Sequence, residues 1–170
     1  FEDIFLIARG SLNFADMYRF DFKQLPTLVR RRNIRGVNGR INFLGQEIHP
    51  LDEKALIAAA HELINSAGCE AIAINFLHSY ANTKHEKTAV NLLKENFPEL
   101  AISAGGLLAN EYREYERTST TVLDSYIKPV LKNYLQHLKS GMQEKGFDGK
   151  YYVMNSAGGA LTFEMAAAKP

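Results

Sequence analysis

The length and composition of this chain suit one globular domain with a sizeable core. It has 170 residues, of which 46% are hydrophobic and 23% are charged, and its formal net charge is +1. This charge balance argues against a protein that binds mainly the nucleic-acid backbone, because such proteins usually carry a basic stripe. The single cysteine, Cys69, excludes an internal disulfide and indicates a reducing compartment.

No apolar run in the sequence is long enough to cross a bilayer, and no signal-peptide pattern stands within it. We therefore expect a cytoplasmic protein that binds neither membranes nor nucleic acid. The chain opens on Phe1 and stops at Pro170, neither of which resembles a natural terminus. We expect a central piece of a larger protein.

The first 50 residues mix apolar and charged side chains irregularly, and only residues 41–48 alternate as a strand does. This part is predicted to be irregular and rich in β structure. Residues 51–170 show strand and helix patterns in alternation, which predicts an α/β domain. We expect both parts to belong to one larger domain.

The first clear helix signal follows Asp52, whose carboxylate can accept backbone amides at a helix start while Leu51 packs on Leu56. Gly68 is predicted to end this helix. The next residues, 69–77, are almost all apolar, which is typical of a parallel strand covered on both faces.

A second helix is predicted to begin at a capping box formed by Thr83 and Glu86 and to end before Pro98. A short strand and the pair Gly105-Gly106 come next. The two glycines predict a loop with either a positive φ or a close approach by a neighbour.

A long helix follows the third predicted strand. Apolar residues from Val122 onward recur at steps of three and four, so one face is predicted to be buried along its length. Pro129 removes a backbone donor and predicts a kink or a break. Residues 151–154 then predict a strand, residues 155–159 a strand-to-helix turn, and a short helix starts near Thr162. The whole pattern predicts a mostly parallel sheet with crossover helices.

The loop after the central strand carries His78 and Tyr80 near the carboxyl edge of the sheet, where open α/β proteins bind ligands. His78 could act as a general base or metal ligand, or it could hydrogen-bond a backbone carbonyl and hold the loop. A metal-dependent hydrolase using His78, His85 and nearby carboxylates is a further alternative. Because their spacing suits no dedicated site, we predict no metal site.

The densest group of functional side chains lies at the start of the long helix, in residues 111–121. Mutual ion pairing on one helix face is one interpretation, worth about a few tenths of a kcal/mol per exposed pair. Against it, four successive hydroxyl-bearing residues are poor helix formers, which favours a functional site or a buried polar network. The candidate residues are Arg113, Glu114, Glu116, Arg117 and Thr118.

The turn at residues 155–159 contains Gly158 and Gly159, and exposed amides in such a turn can bind an anion. The sequence shows no phosphate loop with its lysine and no paired zinc-ligand cysteines. A Gly-x-Ser-x-Gly elbow and a dinucleotide fingerprint are also missing. The two glycines are therefore the candidates for contact with a cofactor.

Two motifs carry a resemblance to a known family. They are His78-Ser79-Tyr80-Ala81-Asn82 with His85-Glu86, and Arg113-Glu114-Tyr115-Glu116-Arg117-Thr118-Ser119-Thr120-Thr121 with Tyr126 before Pro129. They resemble the A-type subunits of the hydantoinase/5-oxoprolinase family, to which the acetone carboxylase beta subunit is related. Flanking segments are similar as well, so the resemblance covers the whole chain; they are Phe1-Glu2-Asp3-Ile4 with Arg9, and residues 154–159.

The resemblance implies a fragment of an actin- and sugar-kinase-like ATPase fold. It implies an enzyme that uses ATP and Mg²⁺ to phosphorylate the carbonyl oxygen of a small cyclic amide or ketone. Ring opening or carboxylation would follow with a B-type partner subunit, and we expect the full-length protein to form an oligomer. The residues that would line, brace or support the cleft are Arg113, Glu114, Glu116, Arg117, Thr118, His78 and Tyr80, while Gly158 and Gly159 would approach the nucleotide.

The family's two phosphate motifs would lie before and after this chain, so we predict that the chain alone holds no cofactor and has no ATPase activity. It also departs from the family, which often has polar residues at Gly105, Gly106 and Leu107 and Asn or Asp at Ala157. Either the substrate differs or those groups are not catalytic. The alternative function is a noncatalytic module that docks the B-type subunit or the missing ATPase domain.

Overall fold

A computed structural model describes residues 2–5, 20–21, 26–156 and 158–168 of the chain. The chain divides into two units, Phe1–Val122 and Leu123–Pro170. The similarity at Phe1 and Arg9 and the departure at Ala157 fall outside the described residues, and the domain boundary near residue 50 stays a prediction.

The described residues form six strands and five α-helices. After a short 3-10 turn (Arg31–Asn33), the first unit contains β1 (Arg40–Ile41), β2 (Glu47–His49), α1 (Glu53–Ala67), β3 (Ala71–Ile74), α2 (Lys84–Asn96), β4 (Ala101–Ala104) and α3 (Gly105–Leu108). Helix α4 (Glu114–Glu144) begins in the first unit, and its later turns belong to the second, with β5 (Tyr152–Met154), β6 (Ala160–Thr162) and α5 (Phe163–Ala168).

Strands β3 and β4 form a parallel pair joined through α2, in register from Ala71 opposite Ala101 to Ile74 opposite Ala104. This pair, its crossover helix and the long α4 confirm the predicted α/β class. Within the described residues, parallel pairing is confined to these two strands, because β1–β2 and β5–β6 are antiparallel pairs. The end of the apolar run 69–77 leaves the sheet and begins a loop, residues 75–82, which we call the strand-end loop.

The core of the first unit involves α1, α2 and the strand pair. Its buried residues are Leu56, Ala60, Ile74, Ala89, Leu93 and Ala104. In each helix the buried pair is four residues apart, so one face of the helix turns inward. A fully buried leucine contributes about 1.5–3 kcal/mol, so this packing holds the carboxyl ends of β3 and β4 side by side.

The predicted single strand at residues 41–48 is wrong, since these residues form the β1–β2 hairpin. The side chain of Asn42 accepts the amides of Leu44 at 3.0 Å and Gln46 at 2.9 Å, which reverses the chain. Gly45 completes the turn at a φ of 80°, which a residue with a side chain rarely adopts. Alternation alone did not reveal this turn.

The caps of α1 are those predicted. The Asp52 carboxylate accepts the amide of Ala55 at 2.9 Å. Gly68 ends the helix in the left-handed conformation, its amide bonded to the carbonyl of Ile64 at 3.2 Å. Leu51 packs against the cluster that contains Leu56, as a hydrophobic staple would.

The predicted capping box of α2 is wrong. Thr83 occupies the N-cap position, but its side chain makes no capping hydrogen bond. Instead, the Asn82 side chain accepts the amide of Lys84 at 2.9 Å. Glu86 turns into the protein interior, where it has other partners.

Helix α4 runs unbroken through Pro129, so the predicted break does not occur. Its apolar face is not buried along its length either, and Leu135 is buried with Phe163 and Ala166 of α5. Among its described residues, the second unit has a hairpin and a six-residue helix beside the later turns of α4. The large apolar residues that stay exposed on α4 are Leu123, Tyr126, Ile127, Val130, Tyr134 and Leu138.

The predicted strand-to-helix turn at residues 155–159 is also wrong, because it connects the antiparallel strands β5 and β6. The amide of Asn155 donates to the carbonyl of Gly159 at 2.8 Å, and Gly158 has a φ of 90°. Helix α5 starts one residue after Thr162, as predicted, and the Thr162 hydroxyl accepts the amide of Met165 at 3.2 Å.

Candidate functional site

Glu86 connects the ends of the two parallel strands. Its Oε1 accepts the amide of Phe76 at 3.0 Å, and its Oε2 accepts the amide of Gly106 at 2.6 Å. Each amide lies two residues beyond the last pair of the sheet, Ile74 opposite Ala104. One fully buried carboxylate therefore binds equivalent positions of β3 and β4.

Burial raises the pKa of the Glu86 carboxyl above its ordinary value, since the charged form loses contact with water. The amides of Phe76 and Gly106, the Ser79 hydroxyl and the positive charge of Arg117 each act in the opposite direction. Because both oxygens accept an N–H, the arrangement fits an ionised carboxylate, which has only acceptors.

Arg117 holds the same loop from the opposite side. This fully buried guanidinium donates from Nη2 to the carbonyl of Phe76 at 3.1 Å and from Nη1 to the carbonyl of Glu111 at 2.5 Å. Phe76 is thus bound through its N–H by Glu86 and through its carbonyl by Arg117. The two charged side chains fix the start of the strand-end loop relative to α2 and α4.

The hydroxyl-rich run after Arg117 forms part of a buried polar network, one of the two predicted alternatives. The Thr121 hydroxyl lies 2.7 Å from the carbonyl of Arg117 and 3.2 Å from Oδ1 of Asn75. Thr118 is also buried, and its hydroxyl, like the Arg117 Nε, has no hydrogen-bond partner among the described residues. Such orphaned atoms mark a site whose polar groups the described residues do not satisfy.

Gly105 and Gly106 allow this network to form through close approach, not through a positive φ. A Cβ at Gly105 would lie 2.1 Å from Oδ1 of Asn75, and one at Gly106 would lie 3.0 Å from the carbonyl of Ser79. Neither glycine has a positive φ, and both begin α3 instead of the predicted loop. Side chains larger than glycine do not fit here without movement.

The remaining candidates at the start of α4 lie outside this network. Arg113 and Glu116 are exposed and form an ion pair of 3.5 Å, while Glu114 is half-buried. Such an exposed ion pair contributes little to stability, because solvent screens it. The structure therefore separates the predicted group, with Arg117 and Thr118 inside the protein and Arg113, Glu114 and Glu116 toward its surface.

His78 adopts a left-handed backbone conformation with a φ of 58°. This conformation costs about 1–2 kcal/mol for a residue with a side chain, and such residues concentrate at functional sites. The ring Nδ1 lies 3.3 Å from the hydroxyl of Tyr80. Among the described residues, the ring makes no hydrogen bond to a backbone carbonyl, which was the alternative prediction. The Tyr80 ring meets the Tyr112 ring edge-on at 6.4 Å, and the Arg113 guanidinium lies 5.9 Å from the Tyr112 ring centre.

His85 has different partners from His78. Its Nε2 lies 2.7 Å from the carboxylate of Glu47, which Lys84 also contacts at 2.6 Å. Hydrogen bonds from Lys84 and His85 lower the pKa of the Glu47 carboxyl. His85 therefore connects α2 to the β1–β2 hairpin, and within the described residues no cluster of three His, Cys, Asp or Glu side chains could hold a metal ion.

Gly158 and Gly159 belong to the second unit. The Gly158 amide donates to the carbonyl of Asn155 at 3.1 Å, and the Gly159 amide donates to Oδ1 of Asn155 at 3.0 Å. Both amides are therefore engaged within the turn, which gives them no spare donor for a phosphate. Their role toward a nucleotide stays a prediction based on the resemblance.

Sequence reasoning missed Glu86 and Asn75. Glu86, Ala89 and Leu93 are spaced by three and four residues, so Glu86 shares the buried face of α2. That spacing was a signal for burial, but it was outweighed by the local capping pattern. For Asn75, whose contacts depend on residues far away in sequence, the chain offers no comparable signal.

Two sequence profiles match the chain. Residues 1–97 match the hydantoinase/oxoprolinase N-terminal region, and residues 117–170 match hydantoinase/oxoprolinase. The first match contains the motif at residues 78–86, and the second match begins within the motif at residues 113–126. The chain belongs to the hydantoinase/oxoprolinase family.

Its relatives are larger proteins. The chain is 38% identical over its whole length to an uncharacterized protein of Methanocaldococcus jannaschii, of which it covers 25%. It is 34% identical to the caprolactamase subunit alpha of Pseudomonas jessenii over 85% of this chain and 21% of that protein. A solved structure of acetone carboxylase in its nucleotide-free state superposes with a TM-score of 0.77 and 26% identity, over 96% of this chain and 24% of that one.

Proposed function

We propose that this chain is part of an ATP-dependent enzyme of the hydantoinase/5-oxoprolinase type, which opens a small cyclic amide. The observation that carries the proposal is the double attachment of Phe76, by Glu86 at 3.0 Å and by Arg117 at 3.1 Å. Glu86 and Arg117 both lose contact with water to bind Phe76, and this desolvation costs free energy. A functional role of the loop is a reason to retain both charges.

The residues divide into two roles in this proposal. Arg117 and Thr118 brace the strand-end loop from inside the protein, whereas His78 and Tyr80 lie on the loop and contact the substrate. The exposed Arg113 and the acidic residues Glu114 and Glu116 line the entrance. An imidazole beside a phenol can hold or transfer a proton at a substrate nitrogen or oxygen.

We expect the described residues by themselves to hold neither ATP nor Mg²⁺. The two glycine amides of the β5–β6 turn are already bonded, and Arg117 is engaged by carbonyl oxygens. In this proposal ATP is a co-substrate that phosphorylates the carbonyl oxygen and makes it a good leaving group, and other residues hold it. We expect the 170-residue chain alone to show no ATPase activity.

The proposed enzyme works with a B-type subunit or domain, as an oligomer in the cytoplasm. The relatives support a multi-subunit assembly, since they include a caprolactamase subunit alpha and an acetone carboxylase beta subunit. For the part of the chain that the structure describes, no helix combines the length and the apolar character needed to cross a membrane.

The test is ATP-dependent hydrolysis of hydantoin or 5-oxoproline by the full-length subunit with its B-type partner. Arg117→Ala and Glu114→Gln should lower turnover per folded subunit at least tenfold. Lys132→Ala, an exposed change on α4, is the control and should leave turnover unchanged. Normal turnover of both variants together with lost assembly would favour the docking function instead.

The alternative function, a noncatalytic docking module, is favoured by the exposed apolar face of α4. Six large side chains between Leu123 and Leu138 lie on one side of the helix, of which Tyr126 is 77% exposed. In a Cys69→Ser background, thiol labelling of Tyr126→Cys, with Lys132→Cys as control, tests it. Protection of Tyr126→Cys that appears only when the B-type subunit is added identifies that subunit as the docked partner; protection in the full-length subunit alone identifies the ATPase domain.

A further inference from the structure

Glu86 occupies a position from which it controls the loop that carries His78 and Tyr80. Its two oxygens accept the amides of Phe76 and Gly106, each of which lies two residues beyond the end of its parallel strand. Gly106 permits this approach, because a Cβ there would lie 3.1 Å from Oε2 of Glu86.

The attachment continues directly into the turn of His78. The carbonyl of Phe76 accepts both the guanidinium of Arg117 at 3.1 Å and the amide of Ser79 at 3.4 Å. The carbonyl of His78 then accepts the amide of Ala81 at 2.9 Å. A shift of Phe76 would therefore be transmitted within two residues to the left-handed His78.

We infer that Glu86 is a positioning residue, whose ionised carboxylate sets the geometry of the His78–Tyr80 pair. For its effect on turnover, the inference rests on the proposed function. Glu86 does not touch the substrate; it acts through Phe76 on the two side chains that do. A glutamine at this position can accept only one of the two amides, because its NH₂ group would face the other N–H.

The charged and polar groups that face Glu86 are few. Arg117 faces it from α4, the Ser79 hydroxyl from the strand-end loop, and the Gly106 amide from α3. The neighbouring His85 is bonded to Glu47 of the hairpin instead. Protonation of Glu86 should therefore be visible at the amides that it accepts.

The experiment is a pH titration of the full-length subunit labelled with ¹⁵N at phenylalanine and glycine, following the amide resonances of Phe76 and Gly106. Both should shift with one common midpoint above the ordinary glutamate value of about 4.3. Glu86→Gln should abolish this titration and weaken the contact between the His78 and Tyr80 rings in nuclear Overhauser spectra. Glu95→Gln, an exposed change in the same helix, should preserve both signals.

Wild-type amides that do not titrate, or a Glu86→Gln variant whose amides still titrate, would overturn the inference. The wild-type titration decides even where the variant fails to fold. In the full-length enzyme with its partner, Glu86→Gln should lower kcat at least tenfold, and unchanged kcat together with lost amide titration would also overturn it. If the wild-type pair shows no ATP-dependent turnover, the proposed function fails, whereas the amide titration still decides on Glu86.

Discussion

Replacing Arg117 with alanine measures how much stability one buried guanidinium gives to this site. The side chain is fully buried and donates to the carbonyls of Phe76 and Glu111 at 3.1 and 2.5 Å. Hydrogen bonds from a charged donor contribute about 1.5–3 kcal/mol each. Removing Arg117 also leaves the buried charge of Glu86 without its compensating cation. We predict that Arg117→Ala lowers the free energy of unfolding by about 3–5 kcal/mol, the range for breaking a buried charge interaction.

Urea denaturation of the chain, followed by circular dichroism, tests this value. With a slope of about 1–3 kcal/mol per molar urea, the midpoint should fall by at least about 1 M. Arg113→Ala is the matched control, because Arg113 is exposed and its ion pair with Glu116 is long. That change should stay within about 0.5 kcal/mol. Equal losses from the two variants would refute the bracing role of Arg117.

Three further predictions concern local structure. Gly105→Ala should destabilise the chain by about 1–3 kcal/mol, since its Cβ would lie 2.1 Å from Oδ1 of Asn75. Gly141→Ala is the control: a Cβ there would meet nothing within 4 Å, so this change should stabilise the chain by about 0.5–1 kcal/mol. A higher melting temperature for Gly105→Ala than for Gly141→Ala would contradict the packing. Asp52→Ala should cost about 1 kcal/mol through loss of the α1 cap, and no change in urea midpoint would count against that cap. Burial raises the pKa of Glu86 in the folded state, so the folded protein binds more protons than the unfolded chain does. The stability of the wild type relative to Glu86→Gln should therefore fall as pH rises above about 4.3. A wild-type urea midpoint that rises with pH relative to that of Glu86→Gln would contradict this sign.

Local signals in the sequence predicted both ends of α1 correctly. The Asp52 cap and the Gly68 stop each depend on contacts within a few residues, and both are confirmed. The parallel pair also followed from the sequence, because an apolar run such as 69–77 needs cover on both faces. The polar run that contains Thr121 predicted a functional site or a buried network, and the network is present.

Long-range contacts set the features that the sequence did not reveal. Glu86 fits a capping box by spacing, and only the approach of Gly106, 20 residues away, shows its other partner. The exposed face of α4 was predicted to be buried because periodicity shows that a helix has an apolar side but not what covers it. Residues 41–48 differ, because there the alternating pattern concealed a local turn that Asn42 and Gly45 form.

The positions of Arg117 and His78 illustrate the same distinction at the site. The sequence placed both among the candidates and put His78 on a loop, but it could not show that Arg117 is buried and bonded to that loop. The difference follows from the two carbonyls that Arg117 meets in space, one of them 41 residues away. Spacing along a helix predicts neighbours on that helix and no contact of this kind.

The central claim is that the strand-end loop, held by Glu86 and Arg117, presents His78 to the substrate. The most direct test is ATP-dependent opening of a cyclic amide by the full-length subunit and its B-type partner, comparing wild type with His78→Asn. Asparagine tolerates the left-handed backbone, so this change removes the imidazole and preserves the loop. We predict at least a tenfold loss of turnover with unchanged subunit assembly and stability. A His78→Asn variant that turns over as fast as the wild type would contradict the claim.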